Sequence, residues 1–184
     1  RRSSDLYSQR VDGGSFLITP YNKDRKYLAP EDLVLIRDGM RQAGMTPSRS
    51  ARLHQAIYDS HPDIGSVLIA HAPSIMAFAV TDTAFDSRLI PESYIALREV
   101  KKLPFLSSTV DIAGTAAAFS PRNPVIIVEN ECVIVTGRDL LNAFDRLEVL
   151  EFSAKAVIAA REIGPVVQID DAQVREIEQA FKLD

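Results

Sequence analysis

Short apolar runs alternate with turn-forming residues along the chain, and that rhythm predicts most of its elements. Phe16-Leu17-Ile18-Thr19 lies between Gly13-Gly14 and Pro20 and reads as a strand. Leu33-Val34-Leu35-Ile36, closed by Asp38-Gly39, reads as a second, and Ser66–Ala70, ended by His71-Ala72-Pro73, as a buried third. Pro124–Val128 and Cys132–Thr136 are β-branched runs separated only by Glu129-Asn130-Glu131, the spacing of a tight antiparallel hairpin. Elsewhere the apolar period is helical. A helix capped by Ser48 or Ser50 and running to about Ser60 sets Leu53, Ala56 and Ile57 on its inner face. Further helices are expected over about Ser74–Ala79, Pro91–Glu99 and Ser108–Phe119. Asp139 opens the longest helix, with Leu140, Phe144, Leu147, Ala154 and Ile158 in register, which ends at Gly164-Pro165. A last helix covers about Ala172–Phe181. No repeat or linker interrupts the pattern, so residues 1–184 read as one domain of helices packed on a mixed sheet.

Composition changes this picture little. Apolar residues are 46% and charged residues 25%, ordinary for a globular chain of 184 residues. The net charge of −4 gives no bulk attraction to nucleic acid or anionic lipid, and no apolar run approaches a membrane span. Cys132 is the sole cysteine, which excludes an internal disulfide and a multi-thiolate zinc site and fits a reducing, cytoplasmic setting. The chain opens abruptly at Arg1-Arg2-Ser3-Ser4 and reaches an apolar strand by Ser15, with no visible signal peptide. The expectation is a domain of something longer, or half of a tandem protein.

Several segments taken together carry a family resemblance. They are Phe16-Leu17-Ile18-Thr19-Pro20 with Leu28-Ala29-Pro30-Glu31-Asp32-Leu33-Val34, then Pro47-Ser48-Arg49-Ser50 with Leu53-His54-Gln55-Ala56-Ile57-Tyr58. Pro62-Asp63-Ile64-Gly65-Ser66-Val67, the Val125–Gly137 hairpin and the helix from Asp139-Leu140 to Leu150-Glu151 follow in order. This series resembles the class II aldolase/adducin family. The resemblance implies a three-layer α/β/α sandwich around a central mixed, mostly antiparallel sheet. It also implies tetramers with active sites at subunit boundaries, and a divalent metal, usually zinc, held by three imidazoles. In such enzymes the metal polarises a carbonyl as a carbon–carbon bond breaks, and a Glu beside it serves as acid and base.

Carried over position by position, most of that machinery is missing. The first imidazole falls on Ile69, the second on His71, and the third on Glu131 of Asn130-Glu131-Cys132. The acid–base Glu falls on Ser50. Cys132 follows Glu131 on a strand, so its side chain is expected on the opposite face. Thr19 and Ser48 match phosphate-contacting positions, whereas Asp5-Leu6-Tyr7-Ser8 replaces a phosphate loop and Pro20-Tyr21-Asn22 lacks its glycine. Arg49 suits bidentate pairing with an anion or a plain surface role. His54 is expected to help packing within its helix and His61 to face solvent; no Ser-His-Asp arrangement is visible.

Two functions compete. One is a non-catalytic assembly or ligand-binding domain without a cofactor, working as a homo-oligomer or beside a tandem partner. The alternative is a metal-dependent aldehyde-lyase (aldolase) acting on a sugar phosphate or related hydroxy-carbonyl compound. There His71 and Glu131 would hold zinc or another divalent metal, with Ser50 or a neighbouring subunit's group in place of the Glu. Metal-free chemistry or small-molecule sensing in the old pocket is a third option.

Overall fold

The computed structural model describes residues 5–183. Eight strands form one sheet: β1 Leu6–Asp12, β2 Ser15–Ile18, β3 Val34–Arg37, β4 Met40–Arg41, β5 Ser66–Ala70, β6 Val100–Leu103, β7 Val125–Val128 and β8 Cys132–Gly137. Their order is β4-β3-β2-β1-β5-β8-β7-β6, and β6 with β7 is the only parallel pair among the described strands. Among the described residues seven α-helices accompany them: α1 Ala51–Ser60, α2 Pro73–Ala79, α3 Pro91–Leu97, α4 Ser107–Val110, α5 Ile112–Ala117, α6 Leu140–Ile163 and α7 Asp171–Phe181.

The alternation of strand side chains divides the core into two. Phe16, Ile18, Val34, Ile36, Val67, Ile69, Ile126, Val128 and Ile134 point to one face, where Leu53, Ile57 and Tyr58 of α1 and Ala116 of α5 cover them. Leu68, Ala70, Val125, Ile127, Val133 and Val135 point to the other, under Ile75 and Phe78 of α2 and Ala143, Leu147, Leu150 and Ala154 of α6. The three layers expected from the resemblance are present. Glu151 of α6 ties two of these helices together by accepting hydrogen bonds from the Ser74 and Ile75 amides (2.9 Å each to the nearer oxygen), which caps α2.

Several expectations needed correction. The single helix over Ser108–Phe119 is two short ones, because Asp111 leaves helical geometry and its carboxylate caps Gly114 N–H at 3.0 Å. The helix begun at Pro91 stops at Leu97, where Arg98 takes a positive φ of 54°. On α6 the buried stripe is Ala143, Leu147, Leu150, Ala154 and Val157, leaving Leu140, Phe144 and Ile158 partly exposed. Strands β1, β4 and β6 had no counterpart in the sequence pattern. α7 has no buried residue; Glu178 fastens it, its Oε1 accepting from Tyr94 OH at 2.8 Å, Arg98 at 3.1 Å and Arg122 at 3.2 Å. Among the described residues no helix is long and apolar enough to cross a membrane.

Candidate functional site

Two of the residues singled out by sequence, His71 and Glu131, lie just past the end of β5 and in the β7–β8 turn. The Ala70↔Val133 pairing brings His71 alongside the turn that carries Glu131. Ile69, two residues before His71, is only 6% exposed and packed in the core beneath α1. Ser50 is the N-cap of α1 on that same face, although its hydroxyl makes no cap hydrogen bond. It is instead 3.0 Å from Ser48 Oγ.

His71 and Glu131 are engaged by different neighbours. Asp5 Oδ1 accepts the His71 amide at 3.2 Å and lies 3.6 Å from its Nδ1. Ser108 Oγ donates to Glu131 Oε1, and Oε2 is enclosed with no hydrogen-bond partner. Cys132 is buried in the core cluster beneath α1, and burial first, then the Glu131 charge, pushes its thiol up to about 12. Among the described residues no group of three or more His, Cys, Asp and Glu is arranged to hold a metal ion.

The positions expected to meet an anion are built from strand ends and the entry to α1. Thr19 is buried; its Oγ1 accepts Tyr7 N–H at 3.3 Å and its carbonyl accepts Ser48 N–H at 3.0 Å. Arg49 is exposed, with its guanidinium 5.7 Å from the centre of the Tyr21 ring. Asp5, where the family resemblance sets a phosphate loop, places a carboxylate beside His71 and repels a second anion there.

A Ser–His pair that sequence reasoning missed lies behind this region. Ser8 Oγ is 2.6 Å from His54 Nδ1 and 2.7 Å from Tyr58 OH, and Arg10 stacks over the Tyr58 ring at 4.7 Å. Ser8 is 2% exposed and His54 0%, so no substrate reaches this hydroxyl and the network is part of the core. Burial drives His54 down to about 3 and Tyr58 up to about 12. The partners are separated by 46 and 50 residues, and only the β1 pairing brings them together. His61, expected to face solvent, is half-buried and donates Nε2–H to the Ala116 carbonyl at 2.9 Å.

Comparison with known proteins places this geometry in context. The family described as Class II Aldolase and Adducin N-terminal domain matches residues 6–158. A 3-oxo-tetronate 4-phosphate decarboxylase of Haemophilus influenzae is 26% identical over 182 residues, covering 95% of this chain and 86% of its own. An L-fuculose phosphate aldolase of Methanocaldococcus jannaschii is 28% identical over 149 residues, 80% of each chain. A methylthioribulose-1-phosphate dehydratase of Yersinia pestis is 27% identical over 162 residues, 79% of this chain and 72% of its own. Among solved structures, YgbL from Escherichia coli superposes with a TM-score of 0.84 at 23% identity, covering 96% of this chain and 88% of that one. An L-fuculose 1-phosphate aldolase does so at 0.79 and 21%, covering 98% and 87%. At such identities these structures establish the shared fold.

Proposed function

Because the chain belongs to the class II aldolase and adducin N-terminal domain family, we propose that it keeps the family scaffold as an assembly and ligand-binding domain in which the metal-dependent lyase chemistry has lapsed. The observation that carries this reading is the donor set. A zinc that polarises a carbonyl needs three good donors and an open position. The corresponding positions hold Ile69 in the core, His71 beside Asp5 and Glu131 beside Ser108, with Ser50 in place of the acid–base Glu. These residues do not fit that ion. Relatives named for a decarboxylase, a dehydratase and an aldolase share the scaffold, so the fold by itself selects no reaction. Thr19, Ser48 and Arg49 remain the proposed anion-facing groups, and Arg49 supplies their only charge.

One observation favours the alternative of an altered-metal aldolase. Glu131 Oε2 is enclosed without a hydrogen-bond partner, and a cation held with His71 would satisfy it. Metal analysis by mass spectrometry on chelator-free protein separates the two readings. Content near background, unchanged in His71→Ala, is the expected result. Near-stoichiometric zinc, manganese or iron that disappears in both His71→Ala and Glu131→Gln would overturn the metal-free reading and favour the altered-metal lyase instead.

Assembly has its own support. α6 covers only part of its face of the sheet. Leu17, Leu28, Leu33, Leu68, Leu140 and Leu141 line an apolar hollow of about 620 Å³ beside β1 and β2. Leu141 is 78% exposed there and Phe152, farther along α6, 73%. A second copy of the chain is the proposed cover, in keeping with the oligomers the resemblance implies. Light scattering should show an oligomer at micromolar concentration, with Leu141→Asp shifted to monomer without loss of its circular dichroism. A wild-type protein that stays monomeric throughout refutes this cover.

A further inference from the structure

At the end of the sheet opposite His71 and Glu131, a polar hollow of about 250 Å³ opens between the end of β8, the start of α6 and the α1–β5 loop. Arg146 extends from α6 along its wall, half-buried, and Nη1 donates to the Thr136 carbonyl at 2.6 Å. Among the described residues no carboxylate lies within ion-pair distance of it. A partly desolvated cation without a counter-charge is costly, and a protein that keeps one usually gives it a partner. The nearest charges do not supply one. Burial first and then the like charge of Arg138 hold Arg146 below the ordinary arginine range, and Asp145 only partly opposes them.

Arg138 lines the same hollow, and its own contact is an exposed pair with Asp139 at 3.5 Å. Asn142 spends Oδ1 on the Arg138 amide at 3.2 Å and retains its nitrogen donors. Asp139 already caps α6 through Asn142 N–H at 2.7 Å, so the helix end is not the attraction. His61 also lines the hollow, with its Nε2–H donated to the Ala116 carbonyl at 2.9 Å. Asp63 at the rim is the one opposing carboxylate in the lining.

We propose that this hollow is an oxyanion site taking a phosphate group, free or as the head of a small phosphate monoester, between Arg146 and Arg138 with Asn142 as a further donor. The guanidinium fork suits phosphate oxygens bidentately. The volume exceeds that of a bare phosphate and leaves room for the remainder of an ester. The site is separate from the Thr19, Ser48 and Arg49 region and does not depend on whether that region binds anything.

Thermal unfolding of the whole chain with inorganic phosphate, glycerol 3-phosphate, or sodium chloride at matched ionic strength tests this. Phosphate at about tenfold its Kd should raise Tm by about 3–5 °C over chloride. The rise should vanish in Arg146→Gln, shrink in the exposed-site variant Arg138→Gln, and persist in Arg49→Gln. A larger rise with glycerol 3-phosphate identifies an ester as the better occupant, and equal rises identify the phosphate head alone as sufficient; both support the site. If Arg146→Gln fails to fold, Arg138→Gln and the Gly137 and Arg138 amide resonances under phosphate titration provide the readout. No rise over chloride, an undiminished rise in Arg138→Gln and Arg146→Gln, or a rise lost only in Arg49→Gln would overturn it.

Discussion

Acidification from about pH 7 to about pH 5 is expected to cost the fold about 2 kcal/mol through His54 alone. The imidazole is fully enclosed and its pKa falls from 6.5 to about 3 because burial penalises its charged form. Above the unfolded value both states are neutral and the contribution is complete. Below it the unfolded chain takes up a proton that the native core refuses, so stability is lost at roughly 1.4 kcal/mol per pH unit until the folded value is reached. Urea unfolding at stepped pH measures that slope. His54→Asn, which supplies a nitrogen close to where Nδ1 meets Ser8, should be less stable at neutral pH yet much flatter below about pH 6. An Asn variant with the wild-type acid slope would assign the loss to carboxylates instead.

Gly65→Ala should be among the most damaging single changes, destabilising by at least about 3 kcal/mol. A Cβ there would lie 1.9 Å from the Arg138 carbonyl oxygen and 2.8 Å from its carbon, and both are backbone atoms. Relaxation is blocked from two sides, because Gly65 N–H donates to the Gly137 carbonyl at 2.9 Å and its own carbonyl accepts Arg10 N–H at 2.8 Å. A fall in Tm of about 6–12 °C is expected. Melting within about a degree of the wild type would show that the β8–α6 junction at Arg138 can move away from Gly65. The effect bears on the candidate site, since β5 begins just after this contact and ends just before His71, fixing the strand from its far end.

How much was legible in the sequence followed from how plainly each segment carries its period. β2, β3, β5 and the β7–β8 hairpin are dense in apolar and β-branched residues, and each is found within a residue or so of its expected place. β1 is hidden because Ser8 and Arg10 are its inward residues where an apolar pattern would be sought. Ser8 serves His54 and Tyr58, while Arg10 donates to the Tyr58, His61 and Ile64 carbonyls. Without β1, the Ser8–His54 contact could not be foreseen. The break at Asp111 did leave a signal: an Asp three residues before Gly114 inside a small-residue run is a capping pattern. At the site, the family resemblance set up the expectation that Ile69, Ser50 and Glu131 stand where metal-binding and acid–base groups would be. It could not show that Asp5 sits against His71, because that contact joins residues 66 positions apart.

The two ends of the sheet present unequal hazards. β4 offers only Met40–Arg41, too short to template another strand. Among the described residues β6 ends the sheet at the other side with one ladder left open, and its sequence Val100-Lys101-Lys102-Leu103 sets two ammonium groups on that edge. A strand arriving from another molecule would have to desolvate both, a cost that opposes edge-to-edge stacking and fibrillar association. Lys102 also donates to the Thr81 carbonyl, holding the neighbouring loop beside the open ladder.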